Sequence, residues 1–168
     1  MSGADLLTDG FHRVQEVVHA TVDGLDIDQL AYRIDDSANS IAWLIWHLTR
    51  VQDDHIAAAA GSEQVWLSDG WVGRFALPFD DHATGYAQSA DDVGQVRAEP
   101  GELLAYHDAV HDRTVAYLDG LSDADLEQVV DADWDPPVTL SVRLVSVFSD
   151  DLQHAGQAAY VRGLLQRR

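Results

Sequence analysis

The sequence predicts an all-α protein, a four-helix bundle with long crossover connections. Three observations carry this. Apolar residues recur at helical spacing in four long segments. Cap and stop residues bracket those segments, and no segment alternates as a strand would. The chain has 168 residues, 46% of them apolar, which suits one globular domain over 1–168 with a substantial core.

The first helix spans roughly residues 3–23, with Leu7, Phe11, Val14, Val18 and Val22 on one stripe and Gly24 as its stop. The second runs from about 39 to 60. Asn39 or Ser40 caps its start and Gly61 follows its end. Residues 61–98 are rich in Gly, Asp and Trp, including DGWVGRFALPFDDHATGY. This stretch is too long for a simple bundle turn and reads as a lid or pocket wall. The third helix covers about 99–119. SDADLEQ forms a short extra helix capped by Ser122 or Asp123, and Trp134, Asp135, Pro136 and Pro137 stop the chain. The fourth helix begins near Thr139 and runs toward the last residues. Long connections on both sides of the second helix favour crossover topology over simple up-and-down order.

Composition excludes several function classes. The net charge of -19 repels phosphate backbones and anionic lipid, so nucleic acid and membrane are poor partners. No apolar run is long enough to span a bilayer, and the first residues lack the basic and apolar regions of a signal peptide. There is no cysteine. A cytoplasmic, reducing location fits. Any bound metal must therefore use His, Asp or Glu, and any thiol chemistry must use a small-molecule thiol.

The chemistry-bearing pattern lies on the second and fourth helices. Asp150 and His154 are four apart and share a face with Val147, Ala158, Val161 and Leu165. A carboxylate and an imidazole on an apolar face need partners. They can satisfy each other, or share a cation with His47, which sits among Trp43, Leu44 and Val51. Two His and one carboxylate make a three-ligand divalent site with open positions, as in catalytic metal sites. Zinc suits it, as do ferrous iron, nickel and manganese. Asp151, three before His154, is the alternative acid.

The segments SIAWLIWHLTRVQDDH and SDDLQHAGQAAYVRG resemble the two signature regions of the DinB-like metalloprotein superfamily. Together with the TGYAQS tract, they are most similar to its mycothiol-dependent branch, the actinobacterial mycothiol transferases and maleylpyruvate isomerases. The likeness covers most of the chain. It implies a DinB-type bundle in which His47, Asp150 and His154 hold the metal. Asp150 stands where that branch typically has Glu, one methylene longer. It further implies a metal-dependent S-transferase that uses mycothiol against a small electrophile. A hydrolase, an isomerase and a non-catalytic metal- or ligand-binding protein are the rival readings. A homodimer is compatible with each.

Other residues carry two readings. Trp43, Trp71, Phe75 and Phe79 are either pocket walls or core, and Trp43, Trp71 and Arg50 are the candidates for cofactor contact. Arg143 and Arg50 either form ion pairs or grip a substrate carboxylate. Asp54, two turns after His47, is a candidate proton acceptor. His107 and His111 are four apart and form either a separate metal pair or, for His111, a pocket residue beside the main metal. Asp54, Arg143 and His111 are thus the catalytic candidates. His12, His19, His55 and His82 have no partner at ligand spacing and read as solvated or capping residues.

Overall fold

The structure, a computed structural model, describes residues 1–167. Four long helices form the bundle: α1 (Gly3–Val22), α3 (Ile41–Ala60), α7 (Pro100–Asp119) and α9 (Leu140–Leu165). Short helices fill the connections: α2 (Ile27–Leu30), α4 (Val65–Ser68), α5 (Trp71–Phe75), α6 (Ala90–Gln95) and α8 (Asp123–Leu126).

Local chemistry sets the boundaries. Ser2 caps α1 and Asp5 returns the bond to complete a capping box. Ser40 caps α3, accepting from the Trp43 amide, and Gly61 closes it in the left-handed conformation at φ 63°. Pro100 opens α7 in the first turn, where its missing N–H costs nothing. Thr139 caps α9. The apolar stripe foreseen on α1 is the buried one: Phe11, Val14, Val18 and Val22 are all almost fully covered.

Both α1 and α3 pack against both α7 and α9. Helices α1 and α3 therefore stand diagonally across the bundle, and so do α7 and α9. The chain crosses the bundle diagonal between α1 and α3 and again between α7 and α9, so the bundle has crossover topology, but the long connection 61–98, also expected to cross, joins the neighbours α3 and α7.

The structure corrects the sequence reading in three places. The segment 61–98 is not a plain loop but carries α4, α5 and α6, each too short to show helical periodicity. Helix α2, with its Asp26–Gln29 capping box, went unforeseen for the same reason. A two-stranded antiparallel ribbon, β1 (Val129–Asp131) with β2 (Val138–Thr139), flanks the Pro pair where no strand was expected.

The segment 61–98 is held by polar groups projecting from α3. Asp53 accepts from the amides of Val65 and Trp66, both at 2.8 Å, and so caps α4 from outside. Arg50 is fully buried; it donates to the Ala83 carbonyl at 3.0 Å, to Tyr106 Oη at 3.3 Å and to Gln64 Oε1 at 2.8 Å, with Asp53 3.5 Å away.

A second buried polar contact joins α3 to α7. Thr49 Oγ1 gives its proton to the Ile45 carbonyl at 2.7 Å, so His107 Nδ1, 3.1 Å away, must donate to it. The other ring nitrogen, Nε2, is buried without a partner among the described residues. Burial, with a smaller contribution from His111, lowers the His107 pKa to about 3. A histidine held neutral in the fold but free to protonate when unfolded stabilises the fold above its ordinary pKa of 6.5. That contribution is lost as pH falls from there toward 3. Urea denaturation of wild type and His107→Leu between pH 7 and 4 checks this. Wild type loses more stability over that interval than the variant does, whatever the absolute cost of the substitution.

Candidate metal centre

Helices α3 and α9 lie side by side, and His47 on the first meets Asp150 and His154 on the second. The three residues offer ligand atoms that all lie within 4.8 Å of one another. His154 Nε2 stands 3.6 Å from Asp150 Oδ1. The His47 and His154 ring centroids are 4.9 Å apart.

The hydrogen bonds of the two imidazoles decide which nitrogen is available. His47 Nδ1 is 2.5 Å from the Thr84 carbonyl, an obligate acceptor, so Nδ1 carries the proton. His154 Nδ1 is 2.9 Å from Gln157 Oε1, in the same sense. Both rings thus keep the lone pair on Nε2, and a partner outside the ligand set that fixes the tautomer in this way is typical of a metal-binding histidine. Asp150 Oδ2 is buried without a hydrogen-bond partner among the described residues. A divalent cation would satisfy that carboxylate and both lone pairs together, so these residues fit one. Burial, opposed by the Thr84 bond, lowers the pKa of His47 and favours the neutral form a ligand needs.

Three further groups hold His47. Trp43 stacks on it at 4.5 Å between ring centroids and is itself fixed by its Nε1–H donating to Gln88 Oε1 at 2.7 Å. Gly85 has φ +94°, and a Cβ there would lie 2.7 Å from His47 Nδ1. Only glycine allows the Thr84 carbonyl this approach.

One side of the group opens into a cavity of about 680 Å³, lined by His47, Asp150, Asp54, His55 and Arg143 among polar residues and by valines of α3, α9 and β2. Here His55 Nδ1 is 2.9 Å from Arg143 Nη1, and Arg143 Nη2 is 3.0 Å from Asp131 Oδ2. Tyr86 and Trp134, both largely exposed, lie at its rim.

Position in the fold separates several alternatives that spacing alone leaves open. Asp54 and Arg143 line the cavity, Asp54 accepting from Gln64 Nε2 at 2.7 Å. Arg143 makes the ion pair that is one of its two readings. Arg50 does not line the cavity, because its guanidinium is spent on the connection over 61–98. Trp71 is core, packed at 5.7 Å from Tyr106 and 6.4 Å from Phe75. His111 lies at the α1–α7 contact, its Nε2 2.9 Å from His12 Nδ1, and is not a cavity residue. The buried stripe of α9 runs through Leu144, Val147, Asp151, Ala155 and Ala158, so Asp150 and His154 sit at its edge and not at its centre. Asp151 is the fully buried acid, outside the His–Asp–His group; burial and the neighbouring Asp150 charge push its pKa well above the usual range. His55 and His19 are not simply solvated either, since His19 Nε2 is 2.7 Å from Asp108. Sequence reasoning missed Thr84, Gly85 and Gln157. Gln157, three residues after His154, was open to discovery by helical spacing. A backbone carbonyl such as that of Thr84 leaves no signal in the sequence.

Fold and site together define a helical-bundle protein with a two-histidine, one-carboxylate group suited to a divalent metal and open to a cavity. The chain belongs to the Mycothiol-S-transferase family, whose model matches residues 6–167, and so to the DinB-like proteins. It is similar to a solved protein described as the conserved protein of locus from Enterococcus faecalis, with 32% identity, a TM-score of 0.93, and coverage of 100% of this chain and 99% of that one. No curated protein matches it.

The geometry makes the ligand set testable. His47→Ala and His154→Ala each lose most bound metal, while His12→Ala and His82→Ala keep it, as read by elemental analysis of purified protein. Gln157→Leu, which frees the His154 ring, weakens binding by about 10–100-fold. One equivalent of metal retained in both His47→Ala and His154→Ala would refute the assignment.

Proposed function

We propose that the protein is a metal-dependent thiol S-transferase that joins mycothiol to a small electrophile, with His47, Asp150 and His154 holding zinc. The observation that carries this reading is a three-ligand group open to a cavity in a chain with no cysteine. The nucleophilic sulfur must come from a small molecule, and membership of the Mycothiol-S-transferase family supports mycothiol as that molecule.

His47, Asp150 and His154 would hold a divalent ion, which when bound would supply acidification of a small-molecule thiol. The chain's own residues do the rest. Thr84 and Gln157 hold the two imidazoles in the ligating tautomer. Asp54, which accepts from Gln64 through Oδ1 and lines the cavity, takes the thiol proton. Val51, Val138, Val142 and Val147 give the electrophile an apolar bed that limits water around the nucleophile. The partners in this reading are two small molecules, and the strongly negative net charge argues against nucleic acid and anionic lipid. No helix among the described residues is long and apolar enough to cross a membrane. A cytoplasmic setting, where small thiols stay reduced, fits this chemistry.

Cobalt substitution tests the proposal without requiring the natural electrophile. Adding mycothiol to the cobalt-loaded protein produces a near-ultraviolet sulfur-to-metal charge-transfer band, and its S-methyl thioether does not. A spectrum indifferent to mycothiol would remove the thiol-transfer reading even with all three ligands confirmed.

A further inference from the structure

One histidine of the cavity has its proton position fixed by a neighbour that can only donate. His55 Nδ1 lies 2.9 Å from Arg143 Nη1. A guanidinium has no lone pair to offer, so Nδ1 must be the acceptor and the ring proton must sit on Nε2. Arg143 cannot swing away freely, because its Nη2 is held 3.0 Å from Asp131 Oδ2 of the ribbon. Burial, then the Arg143 charge, lower the pKa of His55, so the ring remains neutral and keeps this tautomer at neutral pH. No acceptor for Nε2–H is found among the described residues, and the ring lines the same cavity as His47, Asp54 and Asp150. His55 follows His47 by two helical turns, about 12 Å along the axis of α3. The space between them accommodates a small molecule, and the Asp150 charge is still felt at His55.

We propose that His55 is a specificity-determining hydrogen-bond donor, whose Nε2–H binds the oxygen that gains negative charge when an unsaturated ketone or an epoxide is attacked in this cavity. The assignment rests on the thiol-transferase reading above and adds the class of electrophile. For an unsaturated ketone, the sulfur forms a bond to the β-carbon as the C=C pair shifts onto the carbonyl oxygen. His55 stabilises that oxyanion and keeps its own proton. The proton released by the thiol ends on the α-carbon, so no further reactant is needed. For an epoxide, the sulfur–carbon bond forms as the ring C–O bond breaks, and the alkoxide that His55 holds ends with the thiol proton. For an alkyl halide the negative charge leaves with the halide, and a donor to oxygen contributes nothing.

The test compares phenyl vinyl ketone with benzyl bromide, using mycothiol and the zinc-loaded protein. In His55→Phe, kcat/KM for the ketone falls about 100-fold relative to that for the bromide, the size expected for removing one preorganised oxyanion donor. His55→Gln, whose amide N–H still donates, recovers part of the ratio. Because both probes are read on the same variant, loss of folded protein cancels. Nitrogen NMR of the wild-type imidazole gives an independent readout, with the proton on Nε2 and a hydrogen-bonded lone pair on Nδ1. Equal loss on both probes, an unchanged ratio, or a proton on Nδ1 overturns the assignment while leaving thiol transfer intact. Turnover of neither probe by wild type overturns the thiol-transferase reading and this assignment together.

Discussion

Arg50 carries a full charge with no exposed surface, and the long connection between the neighbouring helices α3 and α7 is arranged around satisfying it. An unpaired guanidinium in this position would cost several kcal/mol, so its acceptors are as necessary as the core itself. Two of them, the Ala83 carbonyl and Gln64, belong to that connection; a third, Tyr106, belongs to α7 and also donates to Asp53 at 2.9 Å. Asp53 in turn fixes the start of α4. The Ala83 carbonyl held by Arg50 is one residue from the Thr84 carbonyl that orients His47. One turn of α3 thus couples the packing of the long connection over 61–98 to the tautomer of a ligand.

The parts of the molecule with a long period are legible in the sequence. The four bundle helices follow from apolar spacing, the cap at Ser40 from its residue type, and crossover topology from the length of the connections. The grouping of His47, Asp150 and His154 comes from a four-residue spacing joined to the family resemblance. What stays hidden is decided by short or backbone interactions. Helices α4, α5 and α6 span four to six residues each, and the start of α4 depends on the carboxylate that α3 supplies. Arg50 carries two readings in the sequence, an ion pair or a contact to a bound molecule. The structure pairs it with Asp53, three residues on, and adds acceptors at Ala83, Gln64 and Tyr106 that no spacing rule reaches.

Asp150 and Asp151 show how finely one helical step matters. Adjacent positions on α9 differ by about 100° in direction, so one acid borders the imidazoles and the other points into the bundle. Asp151 has both carboxylate oxygens buried without partners among the described residues. Burial favours its protonated form, and a neutral acid costs far less to bury than a charged one. The apolar stripe to which spacing assigns Asp150 runs instead through its neighbour.

The Thr84 carbonyl bound to His47 has a kinetic consequence. The ring cannot turn while Nδ1–H is held and Trp43 lies stacked on its face. Rotation of the His47 imidazole away from Asp150 and His154 therefore waits on local opening of the segment around Thr84 and Gly85, an event with its own free energy below that of global unfolding. The rate of that rotation and the amide protection of residues 83–88 then report the same fluctuation, so a substitution that loosens this tract changes both together.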